Sequence, residues 1–189
     1  GNSLQPELVE PLLDSGALIV MDEAYIEFAE TESLAARAVS EPALIVLRTF
    51  SKWAGLAGLR IGYGVAAAET IDAVMRAKQP YNTGAASEAA AIASLNDVEE
   101  LDRRAAILRA ECERMIVTLR QQEWLEPFPS ETNFVLVRTA GHQGADVNEA
   151  LRRRGIFIRT YGNEQLRECI RISMGTPEQN DRVIAALAE

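Results

Sequence analysis

Three short apolar runs, set apart by helical stretches, constrain this chain more than any other feature. Ala17 to Met21 and Ala43 to Leu47 are unbroken apolar segments, the pattern of strands buried on both faces. Arg60 to Ala66 forms a third, with Ile61, Tyr63 and Val65 on one side. A short amphipathic helix over 4–13, ended by Asp14-Ser15-Gly16, precedes the first run, and helical stretches at about 31–40 and 69–78 separate and follow the others. Alternating strands and helices predict an α/β layer.

Pro80-Tyr81-Asn82-Thr83-Gly84 breaks that alternation, and from Ala85 the chain changes character. An alanine-rich helix to about Leu95 is followed by a longer one over about 98–122. Val98, Leu101, Ala105, Leu108, Cys112, Met115 and Leu119 make one apolar seam along the longer helix. Three heptads barely support a coiled coil, so a helix packed along its own domain is the expectation. After Pro127 and Pro129 come a strand (133–138), a helix (144–154), two strands (156–159 and 168–174) and a helix (177–188), which predict a small α+β module. The expected division is 1–84 and 85–189.

Composition narrows the function classes. A net charge of −9 excludes a phosphate-backbone binder, which needs a basic face. No apolar run approaches the roughly 20 residues that span a bilayer. Cys112 and Cys169 lack ligand spacing, and reduced thiols in a cytoplasmic protein are expected. His142, the only histidine, has no partners for a triad or a metal. Trp53 and Trp124 read as packing, and Arg152-Arg153-Arg154 as a solvated helix end.

One segment carries chemistry. Leu47-Arg48-Thr49-Phe50-Ser51-Lys52 leads from the second run into a loop of small residues and glycines, and Arg60 follows. A lysine near a pocket can act as an amine nucleophile toward a carbonyl. Thr49, Ser51 and Arg60 are donors suited to an anion, the arginine through two bonds at once. A phosphate-bearing aldehyde, pyridoxal phosphate, would use both. The glycines at 55, 58 and 62 do not make G-x-G-x-x-G, which discards a dinucleotide site.

The segment S-K-x-x-G-L-x-G-L-R-x-G-Y, from Ser51 to Tyr63, resembles the lysine motif of fold-type I pyridoxal-phosphate aminotransferases. Within that superfamily the chain is most similar to the histidinol-phosphate aminotransferase family. Asp22-Glu23-Ala24-Tyr25-Ile26-Glu27-Phe28 resembles its D-E-A-Y-x-x-F, and Arg171 to Thr176 its R-I-x-x-G-T. Three motifs in order are a specific signal. The resemblance implies part of a large α/β domain, with a mostly parallel sheet between helices, followed by the small C-terminal domain. It also implies a homodimer.

The resemblance implies roles residue by residue. Lys52 would hold the cofactor covalently and move the substrate proton. Asp22, at the end of a buried strand, would face the pyridinium nitrogen, and Tyr25 the phenolic oxygen. A strand-end turn aspartate and a core aromatic are the competing readings. Thr49, Ser51 and Arg60 would bind the cofactor phosphate. Arg171 and Arg159 would bind the substrate anion, a plain surface residue being the competing reading for Arg159. Asn133, in T-N-F, would support the site.

The implied reaction passes the amine of L-histidinol phosphate to 2-oxoglutarate in ping-pong turnover. Aromatic aminotransferases and threonine-phosphate decarboxylases share these motifs and stand as alternatives. The family's phosphate loop and cofactor-stacking aromatic lie before Gly1, and no initiator methionine is present. The chain is therefore expected to be a C-terminal portion of a longer enzyme, folded but inactive alone.

Overall fold

The computed structural model describes all residues, 1–189, which part into two compact units: 3–105, and 106–189 together with Gly1–Asn2. The parting falls between Ala105 and Ala106, inside the long helix rather than at 84/85. The alanine-rich helix and the start of the long one belong with the first unit, because packing and not composition decides membership.

In the first unit a three-stranded sheet has the order β1 (Ile19–Asp22), β2 (Leu44–Thr49), β3 (Gly62–Ala66). β1 and β2 run parallel, with Asp22 opposite Leu47, whereas β3 returns antiparallel with Gly62 opposite Thr49. The sheet here is mixed, because the short lysine loop sends β3 straight back beside β2. Gly62 is required: a Cβ there would lie 2.5 Å from the Arg48 carbonyl oxygen. Helices α1 (Val9–Leu13, entered through a 3₁₀ turn at Pro6–Leu8), α2 (Ala35–Ala38), α3 (Ala68–Ala77) and α4 (Ala85–Leu95) complete the unit with the start of α5 (Val98–Leu119).

The core of this unit lies on one sheet face, where Leu44 and Val46 pack with Ala38, Met21 and Leu34. The opposite face is open, with Leu18 58%, Val20 54% and Leu47 42% exposed. The expectation of strands buried on both faces is thus corrected: continuous apolarity records a sequence suited to two covers, and this chain supplies one. The helix expected over 31–40 shortens to α2, since Ser33 is drawn into a turn in which its Oγ accepts the Ala35 N–H at 3.0 Å.

The second unit is a four-stranded sheet of order β4 (Leu125–Pro127), β5 (Phe134–Thr139), β7 (Cys169–Ser173), β6 (Arg159–Thr160), antiparallel throughout. The rest of α5, α6 (Gly144–Arg152) and α7 (Pro177–Leu187) pack on it through Cys112, Met115, Leu119, Leu151 and Leu187. β4 is a strand that two prolines hid; it sits at the sheet edge, where proline is tolerated. The strand expected over 156–159 is displaced to Arg159–Thr160. No helix is long and apolar enough to cross a membrane.

Candidate functional site

Parallel pairing places the C-terminal ends of β1 and β2 side by side, and the lysine motif leaves from the second of them. Asp22 ends β1 exposed rather than buried, because it points to the open face with Val20 and Leu47. Its Oδ1 accepts the Ala24 N–H at 3.0 Å, which shapes the turn and leaves most of the carboxylate's acceptor capacity outward. Tyr25 follows in that turn, held by Phe28 N–H donating to its carbonyl at 2.9 Å.

Lys52 lies half-buried with its Nζ over the Tyr25 ring, 5.3 Å from the centroid. The loop that carries it is closed by backbone bonds: Phe50 N–H to the Ile61 carbonyl at 3.2 Å, Leu56 N–H to that of Phe50 at 2.9 Å. The first of these extends the β2–β3 ladder one step, so that Ser51 and Arg60 emerge at the same mouth. Thr49 Oγ1 accepts the Ser51 N–H at 3.0 Å. Arg60 has left-handed backbone, φ 52°, a conformation that non-glycine residues adopt where the surroundings force it and that recurs at ligand sites. Its guanidinium donates to the Ala57 carbonyl at 2.9 Å and is otherwise exposed.

The motif assigns no role to a neighbouring charge cluster. Buried Glu23 accepts from Ser33 Oγ (2.7 Å), Leu34 N–H (2.7 Å) and Arg48 Nε (3.1 Å), and Arg48 also meets Glu27 at 3.5 Å. Burial pushes the Glu27 carboxyl up, only partly opposed by its own backbone N–H and by Arg48, and reinforced by Glu23 and Asp102. Burial works against the Arg48 charge too, but Tyr63 and Glu23 outweigh it and raise Arg48. A cleft of about 290 Å³ opens here, lined by Glu27, Arg48, Phe50, Trp53 and Tyr63 among others. The signal available in the sequence was Glu23 and Arg48, opposite charges two residues past the first apolar run and one past the second. Trp53, expected to pack, also donates its Nε1–H to Asp102 at 3.1 Å.

The two candidate anion arginines belong to the second unit. Arg159 on β6 lies directly opposite Arg171 on β7, on one face of the sheet. Like charges in cross-strand register repel unless an anion lies between them. Arg171 stacks on Phe134 (4.8 Å) and leaves a buried Nε–H without an acceptor; Arg159 stacks on Tyr161 (5.8 Å). Asn133 precedes β5 half-buried, its carbonyl accepting the Met174 N–H at 2.9 Å. His142 is exposed, edge-on to Trp124.

The first unit therefore offers an amine, a carboxylate, a phenol and a loop mouth with hydroxyl and guanidinium donors. The second offers paired guanidiniums. The first set can take a carbonyl and an anionic group, and the second, by itself, an anionic group.

The family model described as aminotransferase class I and II matches residues 1–187. Histidinol-phosphate aminotransferase of Roseiflexus castenholzii is 43% identical over 192 residues, which is 100% of this chain and 52% of that protein. The chain spans about half the length of the curated relatives it matches. The crystal structure of histidinol-phosphate aminotransferase from Sinorhizobium meliloti in complex with pyridoxal-5'-phosphate superposes with a TM-score of 0.78 at 34% identity, covering 94% of this chain and 51% of that one. L-threonine-O-3-phosphate decarboxylase from Porphyromonas gingivalis gives 0.87 at 26% identity, covering 98% and 59%.

Proposed function

Because the chain belongs to the class I and II aminotransferase family, we propose that it carries the lysine-bearing part of a pyridoxal-phosphate transamination site, with L-histidinol phosphate as amine donor and 2-oxoglutarate as acceptor. The observation that carries this reading is the Lys52 amine poised over Tyr25 beside the Asp22 strand end. The curated relatives' names support the substrate, and the cofactor-bound Sinorhizobium structure supports the cofactor. The homodimer enters the same proposal on the resemblance alone, and the cytoplasmic compartment on two cysteines that lack ligand spacing.

Pyridoxal phosphate, when bound, supplies an aldehyde that accepts amines and a ring that withdraws electrons. In the proposed assignment Lys52 Nζ would hold the cofactor, and the same amine would move the proton at the substrate carbon. Asp22, its outward oxygens open, holds a proton on the ring nitrogen. The Tyr25 hydroxyl donates to the ring oxygen. Thr49, Ser51 and Arg60 bind the phosphate, with Arg60 already fixed at the loop mouth. Arg171 and Arg159 bind the substrate's anionic group, which relieves their mutual repulsion.

The likeness to the threonine-phosphate decarboxylase favours one second reading, in which the same residues release carbon dioxide from a phosphorylated amino acid. Absorbance titration with pyridoxal phosphate, followed by borohydride reduction and peptide mapping, tests the cofactor. A visible band that Lys52→Ala abolishes, with the label on the Lys52 peptide, is expected; no band, either in this chain or in a longer chain that contains it, would sink the reading. Glutamate formation from 2-oxoglutarate then distinguishes transamination from carbon dioxide release.

A further inference from the structure

We propose that Arg48 is a positioning residue: by clamping Glu23 and Glu27, which bracket Tyr25 in the chain, it holds the tyrosine ring against the amine of Lys52. The inference deepens the cofactor reading above and rests on it for its consequence.

The geometry is that of one strand end gripping another. β2 delivers both Arg48 and, through the loop that follows, Lys52. Arg48 Nε takes Glu23 at 3.1 Å and its NH1 takes Glu27 at 3.5 Å, while Lys52 Nζ stands 5.3 Å from the Tyr25 centroid. The segment is thus held from two directions by residues of one neighbour. Its first residue is pinned further, since Glu23 N–H donates to the Leu47 carbonyl at 2.9 Å. Ile26 N–H donates to the Glu23 carbonyl at 3.2 Å, so the turn itself is tight.

The clamp is needed because the two acids oppose each other. Glu23 keeps its bonds from Ser33 and Leu34 whatever Arg48 does. Glu27 has less reserve: apart from its own backbone N–H it has only Arg48, its Oε2 is buried without a donor, and Glu23 and Asp102 both disfavour its charge. Without the guanidinium, repulsion and desolvation would drive Glu27 outward and carry the Tyr25 turn with it. Lysine cannot replace the fork, since one ammonium does not present two donors at fixed separation.

The test uses the 189-residue chain with Arg48→Met, Arg48→Lys and Glu27→Gln. Glu27→Gln leaves every bond of Glu23 in place and guards against a variant that fails to fold. Amide hydrogen exchange, read without cofactor, is expected to speed up by about tenfold at residues 25–28 in Arg48→Met, to rise less in Arg48→Lys and Glu27→Gln, and to stay unchanged at residues 44–47. Pyridoxal phosphate, titrated by absorbance, should bind about tenfold more weakly to Arg48→Met, with partial recovery in Arg48→Lys.

Exchange unchanged at 25–28 in all three variants would overturn the proposal. So would exchange accelerated equally across the unit, which is the signature of a pair that serves only stability. No Lys52-dependent band, either in the wild-type chain or in a longer chain that contains it, would remove the cofactor reading, a result visible before any variant is made; the exchange arm still judges the clamp.

Discussion

Glu27 is a residue whose burial works against its own charge. Burial raises its carboxyl above the ordinary value, its own backbone N–H and Arg48 lower it less, and Glu23 and Asp102 add to the rise. The folded state therefore holds this proton more tightly than the unfolded chain, so stability falls as pH climbs from the ordinary glutamate range through the raised folded value. Below that range the group is neutral in both states and contributes nothing. Glu27→Gln should then gain on the wild type as pH rises from 4 to 7, measured as the difference between their urea midpoints. A flat difference, or one of opposite sign, would show that the Arg48 contact outweighs the burial. At this scale the motif made Asp22, Tyr25, Lys52 and Arg60 easy to single out from sequence. The Glu23–Arg48 pair was not, because it depends on Asp22 falling opposite Leu47 in a parallel ladder, a register no local pattern specifies.

Among the elements, α7 shows how one polar side chain fixes a helix start. Asn180, 2% exposed, accepts the Gly175 N–H at 2.9 Å and donates to the Gly175 carbonyl at 3.3 Å and to Glu111 on α5 at 2.7 Å. Thr176 and Gln179 form a reciprocal capping box just before it. Asn180→Ala would strand the Gly175 groups and should cost about 1–3 kcal/mol of unfolding free energy. Thr176→Ala should cost about 1 kcal/mol. Denaturant melts check both, and equal costs would count against the ranking. Long elements such as α4 and α5 announced themselves through periodicity, and the buried seam from Leu101 to Leu119 follows the predicted spacing. β4 did not, since a three-residue edge strand with a proline carries neither alternation nor a complete donor set.

At the scale of the molecule, strand–helix alternation was enough to give the α/β layer and then the α+β module. Where the units part was hidden, because the change in composition near Ala85 precedes the change in packing at Ala105. The open sheet face was hidden too, because Val20 and Leu47 are as apolar as Val46 and only the structure says which side has a cover. All the proposed cofactor ligands lie in the unit spanning 3–105, which also holds Trp53, while Trp124 lies in the other. Ligand binding to the folded state alone stabilises by mass action, about 2.7 kcal/mol at a hundredfold excess over Kd. For a chain of this length that corresponds to a rise in midpoint of roughly 5–10 °C. In a Trp124→Phe chain, where Trp53 is the one remaining tryptophan reporter, pyridoxal phosphate should raise the thermal midpoint by that amount. The added Lys52→Ala change should remove most of the rise, because the covalent hold is lost while the phosphate donors remain. An equal rise in both chains would mean that the ligand is held by its phosphate alone and that Lys52 does not bear it.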